Sequence, residues 1–190
     1  MPQADKGPVR SLFKQFKAAG LPVRPRCAYR SQMALTLVLY QPDIPQNAGT
    51  MLRACACLGL DAGIVEPAGF PVSDRHFRRA GMDYLDRVDI ARHASFAAFE
   101  RWRAEAGRRL VLLTTAGDAA YTDFVYRPDD ILMVGRESAG APQAVHAAAD
   151  ARVIIPIRSE LRSLNVAVAA CMVIGEALRQ LSAFPALEGE

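Results

Sequence analysis

Ile154-Ile155-Pro156-Ile157-Arg158-Ser159-Glu160-Leu161-Arg162-Ser163-Leu164-Asn165-Val166-Ala167-Val168-Ala169-Ala170 is an apolar run, a polar loop and the opening of an apolar helix in immediate succession. Ser163 and Asn165 are residue types that cap helices, and they predict a helix from about Ser163 to Leu181. That helix lacks a polar stripe until Glu176, Arg179 and Gln180, so its polar groups sit at its N-terminal end. Unpaired N–H groups and the helix dipole make such an end attractive to electron-rich groups. A helix apolar on nearly every face must also be covered on every side. In one domain of this size the sheet covers one side, so a second copy is expected on the other, as a homodimer. A central position within a single chain is the alternative.

Upstream of this stretch, apolar runs at Leu35–Tyr40, Gly63–Glu66, Leu110–Thr114, Ile131–Gly135 and Val153–Ile157 alternate with helical patterns. Asn47 is expected to cap a helix ending near Gly59, Ser95 one ending near Gly107, and a third helix begins around Pro142. The alternation predicts an α/β domain with a mostly parallel sheet flanked by helices. Two further strings stand at strand-to-helix junctions, Asn47-Ala48-Gly49-Thr50-Met51-Leu52-Arg53 and Gly135-Arg136-Glu137-Ser138-Ala139-Gly140-Ala141-Pro142. In the first, Gly49 allows close approach by another backbone or a phosphate, and Arg53 is six residues past Asn47, on the second turn. The second follows a buried strand, at a carboxyl end where open α/β sheets bind ligands. It is neither a dinucleotide fingerprint nor a phosphate loop, since the chain has no Gly-x-Gly and no Gly-Lys-Ser/Thr.

With 190 residues, 51% of them apolar, the chain can bury one α/β domain but not two typical ones. The net charge of +3 conceals an asymmetry: residues 1–32 carry seven Lys/Arg against Asp5 (+6), and the remainder sixteen basic against nineteen acidic residues (−3). RNA binding by the folded part would therefore rely on local clusters such as Arg75, Arg78 and Arg79. Residues 1–32 read as an RNA-binding arm, as a presequence of mitochondrial type, or as a disordered or non-native start ahead of a domain beginning at Met33. The expected organisation is this basic extension, a domain over 33–185 and a tail at 186–190. No run of 18 apolar residues spans a membrane, and no secretory signal is evident. Cys27, Cys55, Cys57 and Cys171 form no paired framework, and His76, His93 and His146 have no ligand spacing. The expectation is a reduced cytoplasmic protein without disulfides, metal or membrane.

Taken in order, the three strings resemble the three motifs of the SPOUT methyltransferases, the trefoil-knotted enzymes that methylate RNA with S-adenosylmethionine. The resemblance is strongest to the YibK-like branch, the 2′-O-methyltransferases of the tRNA wobble position, and covers about residues 34–182. It includes Tyr40-Gln41-Pro42-Asp43-Ile44-Pro45, Glu66-Pro67-Ala68-Gly69-Phe70 and Arg78-Arg79-Ala80-Gly81-Met82-Asp83-Tyr84. It implies a single α/β domain with a deep C-terminal knot, and methyl transfer to a cytidine or modified uridine at the wobble position, of leucine tRNAs in particular. By this resemblance Leu113, Gly135, Glu137, Gly140, Ile155, Ile157, Ser163 and Leu164 hold the cofactor. Arg53, Asn47, Ser163 and Asn165 are its catalytic set, and Arg53, Arg78, Arg79 and Arg162 meet RNA. One departure is visible. Where branch members often carry Pro-Glu-Thr-Arg-Gly in the second motif, this chain has Arg136-Glu137-Ser138-Ala139-Gly140.

The transfer needs in-line geometry and removal of a hydroxyl proton, and positioning is expected to supply most of the acceleration. A guanidinium stays cationic, which assigns Arg53 to anchoring phosphate or ribose before base catalysis. The competing readings are a 2′-O-methyltransferase for another tRNA or rRNA position, a non-enzymatic RNA-binding module, and a dinucleotide-dependent oxidoreductase. The module accounts for Arg75-His76-Phe77-Arg78-Arg79 but not for the glycine loop. The oxidoreductase lacks its phosphate fingerprint.

Overall fold

The computed structural model describes residues 35–71, 75–81, 84–85 and 88–186. The basic extension over 1–32 lies outside the described residues. Seven parallel strands form one sheet: β1 (Thr36–Tyr40), β2 (Asp61–Val65), β3 (Ile90–His93), β4 (Leu110–Leu113), β5 (Ala119–Ala120), β6 (Ile131–Val134) and β7 (Ala151–Ile154). Their spatial order is β3-β2-β1-β6-β4-β7-β5. The central strands, Thr-Leu-Val-Leu-Tyr in β1 and Ile-Leu-Met-Val in β6, are buried throughout. Such unbroken apolar runs are what a parallel strand covered on both faces requires.

Successive side chains serve opposite faces. Leu37, Leu39, Val111, Leu132 and Val134 pack with α1 (Pro45–Leu58) and α5 (Val166–Gln180). Val38, Tyr40, Leu110, Leu112, Ile131 and Met133 pack with Phe99 of α3 (Phe96–Ala106) and Val145 of α4 (Gln143–Ala148). Asp130, fully buried just before β6, is held by Arg109 at 2.7 Å and accepts the Arg127 N–H at 2.8 Å. The pairing satisfies a charge that would be costly to bury alone.

The helix ends correct the expected caps in two places. α3 is capped as expected, with Ser95 Oγ accepting from Ala98 N at 3.2 Å and Gly107 closing the end in the left-handed region. Asn47, however, is not a cap: α1 starts at Pro45, whose fixed φ and missing N–H suit a first turn, after Ile44 with no side-chain cap. Asn47 is thereby free for another contact. α5 starts at Val166 rather than Ser163, because Asn165 Oδ1 accepts from Ala167 N at 2.9 Å and Val168 N at 3.3 Å. β7 stops at Ile154, short of the expected Ile157, ahead of Pro156, which cannot donate to a ladder. β3, β5 and the seven-residue α2 (Arg75–Gly81) were not expected at all.

α5 is apolar on nearly every face until Glu176, but in a single chain part of that surface stays open. Ala167, Ala170, Val173, Ile174, Ala177 and Leu178 are buried, whereas Val168 is 51% and Met172 37% exposed. α1 and α2 are in close contact through Gly49, where a Cβ would stand 2.6 Å from the Phe77 carbonyl oxygen and 2.7 Å from Ala80 Cβ. Of the two partners open to Gly49, the structure supplies a backbone. Gly49→Ala is therefore expected to push α2 outward and cost about 1–3 kcal/mol of stability, read by urea unfolding, the usual range for overpacking.

Candidate active site

The carboxyl ends of β4, β6 and β7 open into one cleft of about 500 Å³. Its walls are Leu113 and Thr114 at the end of β4, Val134 to Ala141 with the exception of Ser138 at the end of β6, and Ile154, Ile155 and Ile157 at the end of β7. Arg162, Ser163, Leu164 and Asn165 close it from the loop before α5, and Ile44 and Asn47 from the start of α1. Every residue expected at the cofactor lines this cleft, as do Asn47, Asn165 and Arg162.

The loop after β6 is tight. Arg136 and Gly140 exchange two backbone hydrogen bonds, at 3.0 and 2.8 Å, and Gly140 lies at φ +67°. A Cβ on Gly135 would stand 2.5 Å from Ala141 N, so only glycine lets the strand end fold this closely against its own loop. On the other side, Thr114 N donates to Val153 O at 3.0 Å, Asp118 N to Arg152 O at 3.0 Å and Tyr121 N to Ile154 O at 2.9 Å. The chain after β4 thus wraps over β7, and Gly117 permits it, since a Cβ there would meet the Val153 carbonyl carbon at 2.5 Å.

Polar contacts join the three motifs. Asn165 Nδ2 donates to Asn47 Oδ1 at 3.0 Å, tying the start of α5 to the first turn of α1. Because its Oδ1 already accepts two helix N–H groups, Asn165 orients Asn47 more than it offers atoms to a ligand. Asp43 N donates to Glu137 Oε2 at 3.0 Å, and Glu137 N to Asp43 Oδ1 at 3.1 Å. The facing Glu137 carboxyl, with donation from Ser138 and from loop N–H groups, holds Asp43 from 3.8 down to about 2. Burial, and then the Asp43 carboxylate, push Glu137 up. Glu137 Oε1 is buried with no hydrogen bond of ordinary geometry among the described residues, although the Asn47 side chain is near enough to favour its charge.

The arginines separate into two groups. Arg136 points at Asp43, with Nε 3.6 Å from Oδ2, so the charge that departs from the usual second motif is balanced within the loop. Arg53 does not line the cleft. With α1 starting at Pro45 it falls on the third turn, not the second, exposed and with its guanidinium carbon 4.9 Å from the Tyr84 ring centroid. Arg78 and Arg79 are exposed on α2. Thr114, Thr115 and Ala141 line the cleft unforeseen, and Asp43 had been noted only as part of a motif. The position of Thr114 and Thr115 beyond a buried run was the available signal. Among the described residues, no three His, Cys, Asp or Glu side chains gather as a metal site, and no helix is long and apolar enough to cross a membrane.

A parallel α/β sheet carrying a glycine-loop cleft at the carboxyl ends of three adjacent strands, roofed by the polar start of an apolar helix, is the arrangement of an RNA methylase domain. Residues 34–175 match the SpoU rRNA Methylase family, and the chain belongs to it. It is 73% identical over 147 residues to the tRNA (cytidine(34)-2′-O)-methyltransferase of Beijerinckia indica, spanning 77% of this chain and 92% of that protein. It is 40% identical over 149 residues to the protein of the same name from Escherichia coli K12, spanning 77% and 94%. A solved structure described as giving structural insights into the 2-OH methylation of C/U34 on tRNA is similar with a TM-score of 0.74 at 41% identity, over 80% of this chain and 98% of that one. AviRb from Streptomyces viridochromogenes, solved with AdoMet, has a TM-score of 0.74 at 28% identity, over 81% and 60%.

The raised Glu137 carboxyl has a consequence for stability. A folded-state value above the ordinary 4.5 means that the stability from the neutral acid is complete below that pH and is lost as pH rises through the folded value. Glu137→Gln, fixed in the neutral form, is expected to melt above the wild type by a margin that widens from pH 4 to pH 8. Calorimetric melting across that range checks it, and a constant or shrinking margin contradicts it.

Proposed function

We propose that this protein transfers a methyl group from S-adenosylmethionine to the ribose 2′-hydroxyl of the wobble nucleotide of tRNA. The observation that carries the reading is the convergence of all three motifs on one cleft, tied together by the Asn47–Asn165 hydrogen bond. The cleft fits the cofactor. Leu113, Ile155 and Leu164 offer apolar wall for a purine, the 135–141 loop brings backbone groups close, and buried Glu137 Oε1 awaits a donor. When bound, the cofactor supplies a methyl group on a sulfonium, which is lost to a nucleophilic oxygen. The residues of this chain bind, orient and exclude water. The apolar walls strip solvent from the donor, Asn47 is oriented by Asn165 at the cleft wall, and Arg162 and Ser163 stand at the rim.

Arg53 is assigned to the nucleotide, not to the cofactor. A guanidinium is a permanent cation whose fork matches phosphate oxygens, and this one stands outside the cleft on α1. Arg78 and Arg79, exposed on the helix packed against α1, are assigned to RNA as well. The reading includes a knot in the C-terminal segment, supported by the wrapping of 114–121 over β7, and a cytoplasmic location where tRNA matures. It also takes 33–185 as the methyltransferase domain, with 1–32 ahead of it. The relatives named for cytidine 34 favour the wobble position over other tRNA or rRNA positions.

Arg53→Ala is expected to remove at least about 2 kcal/mol of transition-state stabilisation, roughly thirtyfold in rate, while leaving S-adenosylhomocysteine affinity unchanged. Asn165→Ala removes a helix cap and the tether of Asn47, and is expected to impair cofactor binding and methylation together. Calorimetry with S-adenosylhomocysteine and methyl transfer to tRNAs with and without a changed wobble base test both variants and the substrate. An Arg53→Ala protein that methylates normally, or has simply lost the cofactor, refutes the assignment.

The reading is completed by a homodimer. Val168 and Met172 of α5, with Leu161 before it, are exposed apolar side chains suited to self-complementary pairing. Light scattering at micromolar concentration is expected to give twice the chain mass, and Val168→Asp with Met172→Asp the single-chain mass. A wild-type monomer at that concentration contradicts it.

A further inference from the structure

Asp43 and Glu137 are 94 residues apart, yet one side chain holds three consecutive residues of the loop after β6. Asp43 Oδ1 accepts from Glu137 N at 3.1 Å, Oδ2 accepts from Ser138 Oγ, and the Arg136 guanidinium faces Oδ2 at 3.6 Å. Its own backbone N–H returns a bond to Glu137 Oε2 at 3.0 Å. This reciprocal pair, with each residue's N–H on the other's carboxylate, fixes both the position of the loop and the rotation of the Glu137 carboxyl. Asp43 is itself anchored. Pro42 O accepts from Gly69 N at 2.8 Å, and a Cβ on Gly69 would stand 3.0 Å from Asp43 Cα. Asp43 therefore stands as a post fixed from behind by the segment after β2, while the loop it holds is also closed by the two bonds between Arg136 and Gly140.

We propose that Asp43 is a positioning residue for the cofactor, clamping the 136–138 segment so that the cleft and the Glu137 carboxyl are preformed before the ligand arrives. The inference rests on reading 135–141 as the cofactor loop. Arg136 and Ser138, on either side of Glu137, both reach Asp43, so the clamp takes hold of the loop at consecutive residues. The Asp43 carboxyl, held down to about 2, remains an acceptor throughout the physiological range. Preformation lowers the ordering cost of binding, so losing it is felt in affinity before it is felt in the transfer step. Asp43 lines no part of the cleft itself.

The test compares wild type, Asp43→Ala, Asp43→Asn, Ser138→Ala and the double variant Asp43→Ala/Ser138→Ala, by calorimetry with S-adenosylhomocysteine and by steady-state methylation of tRNA. Asp43→Ala is expected to weaken S-adenosylhomocysteine binding at least about tenfold and raise the cofactor KM in parallel, with the tRNA KM and the saturated rate within about threefold of wild type. Ser138→Ala alone is expected to cost about threefold in affinity and nothing further once Asp43 is gone, because both act through one contact. Asp43→Asn, which keeps the shape and one acceptor, is expected to fall between. General misfolding would lower the saturated rate and raise the tRNA KM as well, so an effect confined to S-adenosylhomocysteine affinity and the cofactor KM separates positioning from lost structure. A folded Asp43→Ala or Asp43→Asn protein with wild-type affinity overturns the clamp alone, as do Ser138 and Asp43 losses that multiply independently. A wild-type protein that binds no S-adenosylhomocysteine overturns the cofactor reading and the clamp together.

Discussion

Parallel alignment is the constraint from which the site follows. When all seven strands run the same way, every strand leaves the sheet at one edge, and the loops there must turn back into helices over both faces. The backbone groups freed at that edge gather around the centre of the sheet, where β6 lies between β1 and β4. The cleft is assembled from this edge: its walls are residues just beyond the last ladder bonds of β4, β6 and β7. Neither the glycine loop nor the polar entrance of α5 could form it alone. Each supplies one side, and the contacts of Asn47 with Asn165 and of Asp43 with Glu137 hold the sides in register.

The same geometry divides the labour among the polar residues. Of those lining the cleft, Asn47 and Asn165 are engaged with each other, and Arg136 and Glu137 with Asp43 behind the wall. The permanent cations that suit a polyanion, Arg53, Arg78 and Arg79, stand on the α1–α2 pair outside it. α1 belongs to both regions. Its first turn contributes Asn47 to the cleft and its third carries Arg53, about 9 Å further along the helix axis at 1.5 Å per residue. A rigid helix thus sets the separation between the two functions.

Much of this was legible in the residues, for identifiable reasons. Buried parallel strands announce themselves as short unbroken apolar runs, and the five central ones are legible in this way, with ends that differ by at most three residues. Because ligand sites in such sheets follow strand ends, the loop from Gly135 could be placed from the buried run before it, whereas Leu113 and Ile155 followed only from the family resemblance. Ser95 and Gly107 behaved as local signals because a cap acts over one helical turn. Other features had no local signal. β3 is an edge strand of four residues with Ala91 and Arg92 exposed, and β5 has two residues, so neither carries an apolar run. Asn47 looked like a cap by type, but Pro45 removed the need for one and its amide turned to a partner 118 residues away. The Asp43 contacts with Glu137 and Ser138 span 94 and 95 residues and follow from no periodicity. Arg53 lies a turn later than its spacing from Asn47 suggests, because the helix starts at Pro45.

The wrapping of residues 114–121 over β7 also bears on when the site comes into being during synthesis. β7, the loop through Asn165 and α5 are the last described elements to emerge from the ribosome, and they supply the strand that β4 and β5 flank and one wall of the cleft. Until they arrive, a nascent chain ending near Asp150 has α1 in place but leaves Leu113, Val134 and the face destined for α5 open to water. The cleft is thus completed by the final quarter of the chain. A message truncated late yields a protein with most of its sheet and none of its chemistry, exposing apolar surface of the kind that quality-control chaperones and proteases recognise.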